Sequence, residues 1–557
     1  MASRLRALPL LVALIAVALP SVGQTITTSV AAPDGVGLAT DVYCPAPACL
    51  GRWPVVLQRT PYGKNGLKNT CNVIVALGFA CVAQDERGRG ASEGTYTGYR
   101  DEGPDGRATL AWLDRQWWCD GNVGTFGASA LGMTQYAMAP GAPPVLKCQV
   151  PVVGTPDFYH HAVYQGGALR YGLTWNWLHG QGADAVYEQL AQHRLWSDWW
   201  ETWAILPHES EVIVPALHVG GWFDIFTQGT IDAFVAAQHH GGTGAAGRQK
   251  LIVGPWTHYN TGQTRAGAVV FPDNAFMLDD LVTILRDWLD QWLKGESRGV
   301  ERWPPVQIYL MGALSEPGAP GNTWVSLADW PPVAGIESLF LAAGGGLAAA
   351  PPAAGEVTMV ADPADPVPTW GGRELLDDFL DNGNPGAGMH DQRPIETRND
   401  VIAFTSAALA RPLTVMGRVL ARVWVRPDTP DLDLAVRLTD VYPDGRSMLI
   451  ADGIQRARMR CGDDRECFLT PGAPVELVVD LWSTAYVFNT GHRVRIDVSG
   501  SNYPRFEVNP NDGGDLNHPG PGVVAHPAIL LGPATPSRIE LPSPGLPRPP
   551  RRHLAAR

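Results

Sequence analysis

The chain has 557 residues, of which 42 are Lys or Arg and 55 are Asp or Glu, giving a formal net charge of −13. That balance argues against nucleic-acid and anionic-membrane partners, both of which need a basic footprint. With 45% apolar and 17% charged residues the sequence is too apolar for a disordered protein, and its length suits about two to four domains.

Arg4 and Arg6 precede an apolar run over 8–19, which Pro20 ends before small residues at Ser21 and Gly23. The run has about 12 residues against the roughly 20 needed to span a bilayer, so residues 1–23 read as a signal peptide cut before Gln24. The expected location is secreted or periplasmic, with no membrane association after cleavage. Eight cysteines in an exported chain, with no pair at C-x-x-C spacing, point to disulfides rather than a metal site. Cys44 and Cys49 bracket a Pro-rich loop, and Cys461 and Cys467 a charged one. Cys119 and Cys148 each precede a buried strand and would start at one sheet edge if those strands are parallel neighbours. Cys71 and Cys81 are then left for each other.

Strands are predicted at 54–58, 79–84 and 123–126, with helices at 73–77 and 108–114, and further buried runs fall at 150–153, 214–219 and 250–253. Short apolar runs separated by helices describe a parallel sheet covered on both faces, an α/β core over 24–150 and 213–300. Its last helix is strongly amphipathic, with Leu281, Leu285, Trp288 and Trp292 at helical spacing and Lys294 then Gly295 as the stop. Between the two halves, 151–212 loses the strand pattern and carries Trp175, Trp177, Trp196, Trp199, Trp200 and Trp203. It reads as an inserted helical cap whose tryptophans pack it against its neighbours, a substrate pocket being the alternative. From 301 to 542 alternation takes over, as in Leu434, Val436, Leu438 and Val494, Ile496, Val498, the period of half-buried antiparallel strands in an all-β domain. The Ala-, Gly- and Pro-rich stretch 343–368 is expected as a surface loop of that domain, and the basic, Pro-rich 543–557 as a mobile tail.

The chemistry centres on Gly127, Ala128, Ser129, Ala130, Leu131 and Gly132. A nucleophilic serine must be lifted clear of the sheet on a strained strand-to-helix turn whose flanks tolerate little bulk. Gly-x-Ser-x-x-Gly is one residue looser than the usual Gly-x-Ser-x-Gly, but a predicted strand precedes it and 133–138 can continue as a helix. Such a hydroxyl needs a base, and the base an orienting carboxylate. Asp224 follows the strand at 214–219 and His258 the strand at 250–253, which gives the order serine, acid, histidine at the carboxyl ends of three strands. His160, His161 and His218 are rivals for the base. The first two precede the acid in sequence, and the third lies inside a strand.

Several further motifs stand in the same order as in a known family: 59–63 (Arg-Thr-Pro-Tyr-Gly), 85–94 ending Arg-Gly-Arg-Gly-Ala-Ser-Glu-Gly, 118–132, 221–224, 254–258 (Gly-Pro-Trp-Thr-His), 431–433 and 440–445 (Asp-Val-Tyr-Pro-Asp-Gly). Over most of the mature chain they resemble the CocE/NonD serine hydrolases, relatives of X-prolyl dipeptidyl aminopeptidases that include cocaine esterase, glutaryl-cephalosporin acylases and α-amino acid ester hydrolases. The resemblance implies an α/β-hydrolase core, an inserted helical cap and a C-terminal jelly roll. It also implies an oxyanion hole made by the Tyr62 hydroxyl and the backbone N–H of Ala130. Read from its surroundings alone, Tyr62 would be a turn residue after Pro61. Many family members have tyrosine where Ala130 stands; since only the backbone donates, the departure alters the pocket more than the mechanism.

The expected function is cleavage of a small ester or amide substrate through an acyl-enzyme on Ser129, with Asp224 and His258 completing the triad and no metal or organic cofactor. Amino-ester hydrolases of the family place acidic residues two and three positions after the catalytic aspartate, where this chain has Phe226 and Thr227. Phe226 instead resembles the aromatic lining the acyl pocket of esterase members. An X-prolyl dipeptidyl aminopeptidase and a non-catalytic carbohydrate-binding protein using the jelly roll are the alternatives.

Overall fold

The structure, a computed structural model, describes residues 26–201, 208–376 and 383–544. The expected signal peptide, Trp203 and all but the first two residues of the expected tail lie outside these residues. The first region runs β1 (Ile26–Ala31), β2 (Gly37–Tyr43), β3 (Trp53–Thr60), α1 (Lys68–Ala76), β4 (Ala80–Asp85), α2 (Glu102–Asp114), β5 (Cys119–Ala128), α3 (Ala130–Met138) and β6 (Leu146–Val152). A small hairpin, β7 (Tyr164–Gln165) and β8 (Ala168–Leu169), then leads to cap helices α4 (Tyr171–Gly180), α5 (Asp184–Gln192) and α6 (Asp198–Glu201). The chain returns through β9 (Leu217–Phe223), α7 (Thr227–His240), β10 (Lys250–Thr257), the hairpin β11 (Arg265–Ala266) and β12 (Val269–Val270), α8 (Leu278–Lys294), β13 (Val306–Gly312) and β14 (Thr323–Leu327).

The hydrogen-bonded order is β1-β2-β4-β3-β5-β6-β9-β10-β13-β14, parallel from β4 to β13. Strands β4, β9 and β10 are buried at every position, as befits a sheet with both faces covered. One face packs Ile74, Val75, Leu285, Trp288 and Leu289 of α1 and α8 onto Val56, Cys81, Val150 and Val219. The other packs Leu110 and Leu113 of α2 onto Val55, Leu57, Val82 and Val123. Helix α8 ends on left-handed Gly295 (φ 70°), the conformation glycine adopts without steric cost.

The structure corrects several sequence expectations. Helix α2 starts six residues before the predicted 108. Gly103, Pro104 and Gly106 weaken helix propensity there, but a Cβ on Gly106 would stand 2.7 Å from Met138 Cβ, so the glycine lets α2 lie close against α3. Strand β9 begins at Leu217 rather than 214 and continues through Gly220 and Gly221. A Cβ on Gly221 would meet the Trp256 carbonyl oxygen at 2.3 Å, so this glycine marks close strand approach and not a turn. Disulfides join Cys44 to Cys49, Cys71 to Cys81 and Cys461 to Cys467, whereas Cys119 and Cys148 are buried free thiols. Strands β5 and β6 are parallel neighbours, but Cys119 opens β5 whereas Cys148 lies opposite Gly124, five residues further on. The two thiols also belong to the cores on opposite faces of the sheet.

The C-terminal region is a β-sandwich of jelly-roll type: β15 (Val333–Ala342), β16 (Gly346–Ala348), β17 (Gly355–Thr358), the short α9 (Arg393–Glu396), β18 (Ile402–Ser406), β19 (Leu413–Arg426), β20 (Asp433–Val441), β21 (Ser447–Arg456), β22 (Val475–Phe488), β23 (Arg493–Ser499), β24 (Ala528–Leu531) and β25 (Arg538–Pro544). The stretch 343–368, expected as loop, contains β16 and β17. Strand β17 pairs with β24 through its backbone while its side chains stay largely exposed, which leaves no apolar alternation to read. Strand β25 pairs with β15 as far as Pro544, so the first two residues of the expected tail are strand. Val415, Val419, Val423, Leu434, Val436, Leu477, Val479, Val494 and Ile496 fill the interior. The cap meets this domain at the β7–β8 turn, where a Cβ on Gly166 would lie 2.0 Å from the Ile454 carbonyl oxygen.

Candidate active site

Ser129 occupies the turn between β5 and α3 with φ 59° and ψ −122°, a conformation costly for any residue bearing a Cβ. The flanking glycines explain how the turn is held. A Cβ on Gly127 would stand 2.4 Å from Leu131 Cβ, and one on Gly132 3.0 Å from the Val152 carbonyl oxygen. The second glycine of the loosened motif therefore lets α3 approach β6, one residue later than in the tighter pattern. Ala130 opens α3, and backbone N–H groups in the first turn of a helix have no partner within it.

Asp224 follows β9 directly and His258 follows β10 directly, both wholly buried. His258 Nε2 lies 2.9 Å from Ser129 Oγ, and its Nδ1 lies 2.5 Å from Asp224 Oδ1. The second carboxylate oxygen, Oδ2, accepts the Phe226 backbone N–H at 2.8 Å. With both of its oxygens engaged, the carboxylate is fixed in orientation, and the ring it holds presents its other nitrogen to the serine. The rival histidines are occupied elsewhere. His218 bonds to the Tyr136 hydroxyl and Gln249, and burial lowers its pKa to about 4. His160 lies between Asp157 and Asp463 at 2.6 and 3.0 Å, and His161 lies 3.3 Å from Asp232.

Tyr62, on the loop after β3, accepts the Trp177 indole N–H at 3.0 Å. Its own proton is thereby left for another acceptor, and the Ser129 side chain is close enough to influence its titration. Burial pushes the phenol well above its ordinary pKa, so it remains a donor throughout the physiological range. The loop is anchored by Asp85 at the end of β4, which accepts the backbone N–H of Lys64 at 2.5 Å and of Ala91 at 2.9 Å. A Cβ on Gly90 would reach within 2.2 Å of the same carboxylate, which accounts for that glycine in the run after Asp85. If the Tyr62 hydroxyl is an oxyanion donor, Tyr62→Phe is expected to lower kcat by about 10²- to 10³-fold with KM nearly unchanged, as steady-state kinetics on an ester would read.

Beside Ser129 lies a small cavity of about 40 Å³, lined by Tyr99, Ala130, Met133, Phe158, Leu173, Trp177, Phe226 and Leu375 among others. Phe226 meets the His258 ring edge to face at 5.6 Å. Sequence reasoning named Phe226 but read Trp177, with the other cap tryptophans, as packing, whereas it lines the cavity. Of the others, Trp200 is core. Leu375, which reaches the cavity from beyond β17, carried no readable signal.

Glu86, next to Asp85, is wholly buried with neither carboxyl oxygen hydrogen-bonded. Burial, with repulsion from Glu102, raises its pKa well above the ordinary carboxylate range. The folded protein thus keeps a proton that the unfolded chain releases, and its stability falls as pH rises from the ordinary value through the raised one. Glu86→Gln, which cannot ionise, should therefore gain in melting temperature over the parent between about pH 5 and pH 8. A constant offset would mean that Glu86 is ionised when folded.

A serine on a strand-to-helix elbow, hydrogen-bonded through an imidazole to a buried carboxylate at the carboxyl end of a parallel sheet, defines the class of α/β serine hydrolases. Comparison with known proteins agrees. The family model described as X-Pro dipeptidyl-peptidase (S15 family) matches residues 34–185 and 176–260, and that of the X-Pro dipeptidyl-peptidase C-terminal non-catalytic domain matches 298–540. A cocaine esterase from Rhodococcus sp. (strain MB1 Bresler) is 31% identical over 575 residues, covering 91% of this chain and 96% of its own. Among solved structures, an aminopeptidase from a marine sediment archaeon (Thaumarchaeota archaeon) superposes with a TM-score of 0.79 at 22% identity, covering 94% of this chain and 96% of its own. An α-amino acid ester hydrolase superposes with a TM-score of 0.77 at 24% identity, covering 93% and 96%. At those identities the two structures speak for the fold. The chain belongs to the CocE/NonD family of serine hydrolases.

Proposed function

We propose that this hydrolase cleaves a small ester, or a reactive amide, with an apolar acyl group, through an acyl-enzyme on Ser129. The carrying observation is the unbroken hydrogen-bonded chain from Ser129 Oγ through His258 to Asp224. His258 takes the serine proton as Oγ attacks the carbonyl carbon, and the imidazolium formed is stabilised by Asp224. The Tyr62 hydroxyl and the Ala130 N–H receive the developing oxyanion. His258 returns the proton to the leaving alcohol or amine, then activates a water that releases the acid and restores the serine.

The cavity beside Ser129 supports the acyl preference, because none of its lining residues among the described ones is Asp or Glu. Thr227, where an acid would hold a substrate ammonium, turns its hydroxyl to the carbonyls of Gly221 and Asp224. Among the described residues, an α-amino ester or a dipeptide amino terminus thus finds no counter-charge there. The relative named cocaine esterase also favours esters. The signal-like sequence at 1–23, with three disulfides in the folded protein, supports action outside the cytoplasm.

The test is a panel of aryl-acyl, alkyl-acyl and amino-acyl esters with X-Pro anilides alongside, together with labelling by a serine-directed fluorophosphonate. Turnover of apolar acyl esters with an adduct on Ser129 is expected. Preference for X-Pro anilides would transfer the protein to the peptidase reading, and no adduct with no turnover would leave a binding protein.

A further inference from the structure

The jelly roll touches the segment bearing Asp224 through an unusual feature. Trp482, inside β22, has a left-handed backbone (φ 63°) and is buried. Residues 480 and 483 stand opposite 420 and 418 across an irregularity in the β19–β22 ladder. Two buried arginines stack on its ring: Arg170, at the start of cap helix α4, with its guanidinium carbon 5.2 Å from the ring centroid, and Arg373, from the segment preceding α9, at 5.6 Å. Both reach to the chain around Asp224. Arg373 Nε donates to the Trp222 carbonyl at 3.1 Å, and Arg170 Nη2 donates to the Ile225 carbonyl at 3.0 Å. Each has a second hold. Arg373 also donates to the carbonyls of Leu481 and Ser483, both at 2.9 Å, and Arg170 to the carbonyl of His161. From the jelly-roll side, the Ser483 N–H donates to Gln228 Oε1 at 2.8 Å. The segment from 222 to 228 is therefore tied at three points, two of which flank Asp224.

Burying two guanidinium groups is expensive unless they are satisfied. Here all three Arg373 nitrogens and both Arg170 Nη atoms donate to backbone carbonyls, an arrangement that fixes chain position, while Arg170 Nε has no hydrogen-bond partner among the described residues. The stacks and the bulge aim the two cations at one short loop, which a plain strand at 482 would not do. We propose that Arg170, Arg373 and Trp482 form a clamp that positions Asp224 towards His258, so that the cap and the jelly roll both act on the reaction by fixing its acid. All three are positioning residues, since none contacts the reacting atoms. The inference rests on the triad reading given above.

The test is a double-mutant cycle between Arg373→Met and Asp224→Asn, read as kcat, KM and the rate of fluorophosphonate labelling. Arg373→Met alone is expected to lower kcat and labelling on the order of 10- to 100-fold, with KM changed by less than about 3-fold, because small misplacements of a reacting constellation cost rates of that order. Added to Asp224→Asn, it should cost almost nothing more, since the group it positions has already lost its role. A full additional loss in the Asp224→Asn background would overturn the proposal and make Arg373 a structural residue only, and so would an unchanged kcat in the single variant. If Asp224→Asn itself costs nothing, the triad reading fails instead. Should Arg373→Met not fold, Arg373→Lys, which keeps the charge but lacks the planar fork, and Trp482→Phe are read in the same cycle, with non-additivity supporting the clamp and additivity overturning it.

Discussion

Ser129→Ala is expected to lower kcat by about 10⁴- to 10⁶-fold and to abolish the fluorophosphonate adduct, while the melting temperature stays within a few degrees of the parent. The size follows from what is lost. On the proposed mechanism, no acyl-enzyme forms without Oγ, and what would remain is water attacking a carbonyl polarised by the proposed oxyanion donors. The small stability change follows from the place of the side chain. Its partner His258 keeps Asp224 on its other nitrogen, and a methyl group fits wherever a hydroxymethyl did. Alanine also meets the same left-handed backbone (φ 59°) with a Cβ of the same kind, so the strain of the elbow is retained. His258→Ala should lose kcat to a comparable extent with KM little changed, since the two groups act as one unit. A rise in KM alone would reassign His258 to substrate binding.

What the sequence made legible follows the range of the interactions that decide each feature. Helix α8 was readable because its apolar face repeats every turn and its stop is local: Lys294, then left-handed Gly295. The buried parallel strands were readable as apolar runs. The start of α2 and the far half of β9 were not, because Gly106 and Gly221 answer to Met138 and Trp256, neighbours remote in sequence, while local propensity reads both glycines as breaks. The failed pairing of Cys119 with Cys148 has the same origin. Which strands are neighbours was inferred, but the register that offsets one thiol from the other by five residues is a tertiary property.

The same division runs through the site. Ser129, Asp224 and His258 each end a strand, so a pattern of strands plus the chain order of residue types was enough to nominate them. Trp177 was one tryptophan among six at helical spacing, and only the fold shows its N–H meeting Tyr62 at 3.0 Å. Leu375 and Trp482 come from beyond the hydrolase core, and no local pattern says that a segment following β17 will reach the cavity or that a strand residue will take a positive φ.

Asp224→Asn is expected to cost about 10⁴-fold in kcat at neutral pH, far more than its modest change in shape suggests. The carboxylate accepts from two sides, His258 Nδ1 at Oδ1 and the Phe226 N–H at Oδ2. An amide has one acceptor oxygen and one donor nitrogen, so it cannot accept from both. If its oxygen faces Phe226, its NH₂ faces Nδ1 and favours the tautomer with the proton on Nε2, which leaves no lone pair to take the serine proton. If its oxygen faces His258, its NH₂ meets the Phe226 N–H, and the loop that carries Phe226 into the cavity must shift. The negative charge that would stabilise the imidazolium is lost either way. Because hydroxide begins to replace the missing base as pH rises, part of the activity should return at alkaline pH. A kcat profile for Asp224→Asn that rises steadily above about pH 9, against a flat parent profile, is the expected measurement. A variant within about 10-fold of the parent at pH 7 would show that Asp224 holds the loop and takes no part in the proton transfer.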